Sequence, residues 1–246
     1  MSKRKRIEAE RLEAEQISRR RFLQRLGLAG ATTLLAGSGL GYLLHENLRS
    51  PAYSEAYEDE AKRDAWLQGL ASRPYVTKRI ATPEMVVKLN SRYHNNIQPD
   101  ATAITIALDE ENAGNGSRSE LYVLPMAFDR YVKEFREGMG VITENIIENH
   151  ELLHADHNYS GIPGYPLDLF RNKDGGMNRP LFIAATEIIG HKSEYQSLLR
   201  KQSSNPLVRE YIARFKSSLV QPLVSGIERI TDNKSLIKRL IEEAQF

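Results

Sequence analysis

Along this chain the apolar positions follow two periods. Ala101 to Leu108 alternates, with Thr102, Ile104, Ile106 and Leu108 on one side, the period of two that predicts a half-buried strand. Glu120 to Leu124 reads as a second strand, and Asn112, Gly114, Asn115 and Gly116 lie between them. A β-hairpin over 101–124 is the expectation. Tyr75 to Ile80 predicts a further short strand. Elsewhere the period is helical. Past the break at Gly138 and Gly140, residues Ile142, Ile146, Ile147, Leu152 and Leu153 form a helical stripe over 140–157, which ends by Gly161 and Pro163. A polar helix is predicted over 54–72 with Ser54 as its cap, and another from Pro83 to Tyr93 with Thr82 as N-cap. Further helices are expected over 128–137, from Pro180 to about Lys201, over 206–220, and from Lys234 to Ala244 with Asp232 as cap. The irregular stretch from Asn158 to Gly176 is a candidate rim or lid that Tyr159 and Tyr165 could line.

The stripe over 140–157 contains His150-Glu151-Leu152-Leu153-His154, an H-E-x-x-H pattern. At 3.6 residues per turn, His150 and His154 share a face. Two imidazoles so placed can hold one Zn²⁺, while Glu151, about 100° further round, can reach a metal-bound water without being a ligand. A third ligand must be His, Asp or Glu, since the 246-residue chain has no cysteine. On the next helix Glu187, His191 and Glu194 form one stripe with Leu181, Ala184 and Leu198. A carboxylate among small and apolar residues needs a partner or a metal to offset its burial. Glu187 is the favoured third ligand and Glu194 the runner-up, with His191 a candidate to orient a ligand or stabilise an oxyanion. His157 is expected at the rim or behind the ligands, and His94 on an exposed turn.

The motif helix followed by a helix bearing a glutamate resembles the gluzincins, the glutamate-ligand zincins, over roughly residues 101–200. The resemblance implies that His150, His154 and Glu187 are zinc ligands and that Glu151 is the general base of a peptidase. It implies an α+β fold, a small antiparallel sheet packed on the active-site helix with a mainly α-helical C-terminal part. In such enzymes an edge strand pairs with extended substrate, here expected along 120–124. The chain departs from the thermolysin-like N-E-x-x-x-D pattern: Thr186 precedes the glutamate and His191 stands where the Asp would be. It departs from the metzincin extension too, with His157 and Ser160 at the positions that need Gly and His.

Charge separates the ends of the chain. Residues 1–50 carry ten Lys/Arg against five Glu, whereas 51–246 carry 24 basic and 27 acidic residues. A mildly acidic body excludes nucleic-acid binding by charge. Ser18-Arg19-Arg20-Arg21-Phe22-Leu23-Gln24 resembles the twin-arginine (Tat) signal, with Gln24 in place of Lys. A Gly-rich apolar run from Leu26 to Leu44 follows, which as a helix would span about 28 Å. Residues 1–50 are therefore expected to be an export signal or an N-terminal membrane anchor, and 51–246 one zincin-like domain. The resemblance to Tat signals implies the Tat machinery as a partner and a body outside the cytoplasmic membrane, free in the periplasm or anchored through 26–44.

Two functional readings follow. One is an exported zinc metallopeptidase acting on peptides or proteins. The other is a membrane-tethered, catalytically inactive zincin-like protein with a structural or partner-binding role.

Overall fold

The computed structural model describes residues 59–93, 97, 101–125, 127–128, 139–200 and 220–246. The expected export signal, the apolar run 26–44, the cap at Ser54, His94 and most of the helices over 128–137 and 206–220 lie outside the described residues.

Helix α1 (Glu60–Gly69) starts where the Asp59 carboxylate accepts a hydrogen bond from the Ala61 amide at 2.9 Å. Strand β1 (Val76–Ile80) follows, then α2 (Pro83–Tyr93), where Thr82 Oγ1 accepts from the Met85 amide. Strands β2 (Ala103–Ala107) and β3 (Ser119–Val123) come next. The motif segment runs through α3 (Met139–Ile146), a π-helical turn (Ile147–Glu151) and α4 (Leu152–Ser160). After a 3₁₀ turn at Leu167–Phe170 come the long α5 (Arg179–Arg200), α6 (Gln221–Ile227) and α7 (Lys234–Glu243). Asn233, not Asp232, caps α7, its side chain accepting from the Leu236 amide.

The sheet has the order β1-β3-β2. Strands β2 and β3 pair antiparallel, with Thr105 opposite Leu121, but β1 runs parallel to β3. The sheet is thus mixed where an antiparallel one was expected. Between β1 and β3 the chain crosses over through α2 and β2, and such a crossover returns a strand in the same direction. Nor is 120–124, expected to pair with substrate, an open edge. Strand β3 is in the middle with both neighbours bonded, so its backbone is taken; among the described strands β1 and β2 are the edges.

Alternation along the strands divides two cores. Ile106 and Tyr122 face Leu89 of α2, while Ala103, Leu121 and Val123 face Ile147 and Leu152 of the motif segment together with Trp66 and Leu67. A third core lies beyond, where Leu181, Ala184, Ala185 and Ile188 of α5 meet Phe170, Leu223, Leu236 and Leu240. The motif segment is therefore held between the sheet on one side and α5 on the other. Asp156 fastens it further: its carboxylate accepts from Arg73 Nε at 2.8 Å and from the Tyr75 hydroxyl at 2.5 Å. The connection after α4 is built into the fold, with Phe170 fully buried and Tyr165 packed under the Arg239 guanidinium. Tyr159 instead stacks on Tyr75 at 4.1 Å.

Candidate metal centre

Two helical elements bring the site together. The π-helical turn carries His150 and Glu151, and α4 carries His154; α5 carries Glu187, His191 and Glu194. A π turn is wider than an α turn and disturbs the regular ladder of backbone bonds, a feature common at functional sites. Here the Thr105 hydroxyl of β2 donates to the Glu151 carbonyl at 2.9 Å, tying the strand to the turn. On α5 a glycine lets the two elements close. A Cβ added at Gly190 would lie 3.3 Å from the His150 ring. Glycine costs about 0.5–1 kcal/mol relative to Ala within a helix, so its place between Glu187 and Glu194 marks a close approach.

The side chains converge tightly. His150 Nε2 lies 3.3 Å from Glu187 Oε2, and His154 Nε2 lies 3.4 Å from Glu187 Oε1. The other nitrogen of His150, Nδ1, lies 3.2 Å from Glu194 Oε2, and His191 Nδ1 is 3.4 Å from that same oxygen. His191 Nε2 turns toward Glu187 Oε2 at 3.8 Å. Glu194 is almost fully enclosed, and Asn145, itself buried, donates from Nδ2 to the Glu194 carbonyl.

Electrostatics follow this packing. Burial opposes a charge on His150, yet the carboxylates of Glu187 and Glu194 outweigh it and raise its pKa well above the usual value. Burial likewise opposes ionisation of Glu187, but His154 and His150 hold its pKa well below the carboxylate range. Glu194, also pushed upward by burial, is brought down to about 2 by His150 and His191. Burial and then the charge on His150 lower the pKa of His191.

His150, His154 and Glu187 can present one donor atom each to a common point. Bonds of about 2.0–2.1 Å to a tetrahedral Zn²⁺ separate adjacent donors by roughly 3.3 Å; each imidazole Nε2 lies about that far from one or the other oxygen of Glu187, and one donor atom from each of the three residues lies within 4.8 Å of the others. His154 Nε2 is buried and makes no well-formed hydrogen bond among the described residues; the Glu187 carboxylate stands 3.4 Å from it, which leaves the nitrogen's bonding capacity weakly used. The donor set of nitrogen and oxygen suits Zn²⁺ or another divalent first-row metal. The residues present fit a metal ion.

A cleft of about 300 Å³ opens on this centre, and Glu151 lines it beside His150, His154 and Glu187. All five residues of β2 line it as well. Consecutive strand residues point to opposite faces, so a cleft that touches all five meets the strand at its edge. The start of α5 lines the cleft too, with Phe182 and Ile183, and so do Arg179 and Glu110, ion-paired at 2.9 Å.

The geometry separates the residues expected at the site. His150, Glu151, His154 and Glu187 lie together. Glu194, the runner-up ligand, touches His150 on the side away from Glu187. His157 is not at the rim: it is 1% exposed, neither ring nitrogen has a hydrogen-bond partner among the described residues, and burial lowers its pKa to about 3. Thr105, Asn145 and Gly190 were not anticipated. Only the glycine interrupting a helical stripe could have signalled its part.

Comparison of the chain with protein-family models, with curated proteins and with solved structures finds no match.

Proposed function

We propose that the cleft is the active site of a zinc-dependent peptidase, with His150, His154 and Glu187 as the residues that would hold the ion and Glu151 as general base. One observation carries the reading. His150 Nε2 and His154 Nε2 both turn to the Glu187 carboxylate, at 3.3 and 3.4 Å, in a cleft that Glu151 and an edge strand of the described sheet also line. When bound, the ion supplies Lewis acidity, lowering the pKa of water and polarising a carbonyl.

The chain's own groups supply the rest. The edge of β2 offers backbone N–H and C=O groups to an extended peptide, which would add as a further strand. Thr105 in the middle of that strand is bonded to the Glu151 carbonyl, so peptide and base are held by one framework. The Glu151 carboxylate takes a proton from the attacking water and returns it to the leaving amine. Phe182 and Ile183 add apolar lining to the cleft and would limit the water that reaches the reacting carbonyl.

A second reading has its own observation. His150 placed between Glu187 and Glu194 is an ion-paired cluster that balances its charge without any metal, as suits an inactive zincin-like protein with a structural or partner-binding role. Glu151→Gln separates the two. The peptidase reading expects full zinc binding and at least about a hundred-fold loss of cleavage on a peptide library, read by mass spectrometry. Cleavage at the wild-type rate would remove Glu151 from the mechanism. Export by the Tat route, to the periplasm or to an anchor on the outer face of the membrane, belongs to the same proposal and is supported by Ser18 to Gln24 and the apolar run after it.

A further inference from the structure

The oxygen Glu194 Oε2 has two ring nitrogens beside it, His150 Nδ1 at 3.2 Å and His191 Nδ1 at 3.4 Å. These distances suit two N–H groups donating to one carboxylate, and they equally suit three donors around a second ion, since the three residues can present atoms to a common point. Chemistry decides between them. A second ion there, alongside one held by His150 Nε2, would require the His150 ring to give up both of its protons. A ring that bridged two ions would be an imidazolate anion, and here it would lie between the carboxylates of Glu187 and Glu194 at 3.3 and 3.2 Å. The three residues are also all buried, and the cleft is lined by neither His191 nor Glu194.

We infer that Glu194 is a positioning residue that fixes two imidazoles at once. Its Oε2 holds the Nδ1–H of His150 and the Nδ1–H of His191, so that both rings turn Nε2 toward Glu187. The inference rests on the metal-site reading and deepens it: one metal centre, oriented by a carboxylate that never touches the ion. Partners of this kind typically change metal affinity 10–100-fold when lost. The helix geometry agrees, because Glu194 stands two turns beyond Glu187 on α5 and its backbone carbonyl is held by the buried Asn145. Gly190, between them, leaves the space the His150 ring occupies.

The test compares the wild type with Glu194→Gln and Glu194→Asp. Zinc affinity is measured by competition with a chelator, Co²⁺ absorption reports ligand geometry, and thermal unfolding is followed on the metal-free proteins. The inference expects one zinc per wild-type chain. It expects affinity 10–100-fold weaker and a shifted Co²⁺ spectrum in Glu194→Gln, with Glu194→Asp between the two. Loss of metal-free stability with unchanged affinity would make Glu194 merely structural and overturn the inference. Two zinc ions per wild-type chain, one of them lost in Glu194→Gln, would overturn it in favour of a second site. If the wild type holds no zinc, the peptidase reading fails alone, and NMR decides the orientation. Slowly exchanging Nδ1 protons on His150 and His191 that vanish in Glu194→Gln support it; their absence in the wild type refutes it. If Glu194→Gln does not fold, Glu194→Asp carries the same comparisons.

Discussion

Helix α5 has two buried faces built on opposite principles. One is apolar: Leu181, Ala184, Ala185 and Ile188 lie against Phe170, Leu223, Leu236 and Leu240. The other is polar: Glu187, His191 and Glu194 lie against His150 and His154. Packing on the apolar face is non-directional and spread over many contacts, so losing one methyl group costs a limited amount. On the polar face each group has one or two specific partners, and removing one strands a buried charge. The first face serves stability. The second carries a cost in stability and is where any chemistry of this helix must lie.

Paired substitutions expose that contrast most strongly. His150→Ala leaves the enclosed carboxylate of Glu194 and the partly exposed one of Glu187 without their shared imidazole, and we expect a loss of about 3 kcal/mol in the metal-free protein together with the loss of stoichiometric zinc. Ile188→Ala, one residue from Glu187 but on the apolar face, should cost a comparable 2–5 kcal/mol through a cavity and leave zinc affinity within about twofold. Chemical denaturation and chelator competition on the same samples check both.

Acid provides the next test. His157 has a pKa depressed to about 3 from its ordinary value of 6.5. Folding then favours the neutral ring, so its contribution is complete above pH 6.5 and is lost as pH falls through the window down to about 3. Within it, stability should fall by about 1.4 kcal/mol per pH unit from this group. In His157→Gln that part of the slope should vanish. Equilibrium unfolding from pH 7 to 3 measures it, and equal slopes in the two proteins would place the acid sensitivity elsewhere. The carboxylate of Glu194, lowered from 4.5 to about 2, contributes stability that is complete above pH 4.5 and is lost as pH falls from there to about 2, so its window overlaps the lower part of that of His157.

The smallest effect sharpens the comparison at its boundary. On an ordinary helix face Gly190→Ala would stabilise by about 0.5–1 kcal/mol. Here the new Cβ meets the His150 ring at 3.3 Å, and overpacking of this kind costs about 1–3 kcal/mol. We expect a net destabilisation of about 1 kcal/mol and zinc binding weakened several-fold, both read by the same assays.

How much of this was legible in the sequence depended on whether the signal was local. Alternation over 103–107 and the stripe through Ile147 and Leu152 could be read, because each is set by which face is buried. The parallel direction of β1 could not, because Val76–Ile80 pairs according to a crossover some forty residues long. The same limit misplaced the open edge. From the sequence β3 adjoined the motif, whereas β1 pairs with it in space and leaves β2 along the cleft. At the centre, spacing put His150 and His154 one turn apart and put Glu187 and Glu194 on one stripe. Which carboxylate faces which nitrogen depends on how α5 crosses the π turn, and only Gly190 hinted at that contact.

The measurement that tests the central claim most directly is zinc content by elemental analysis of the purified full chain, beside His150→Ala and Glu187→Ala. The account predicts one zinc per wild-type chain and none in either variant, with each variant still folded by circular dichroism. A folded wild type without zinc, or Glu187→Ala retaining a full equivalent, would contradict it.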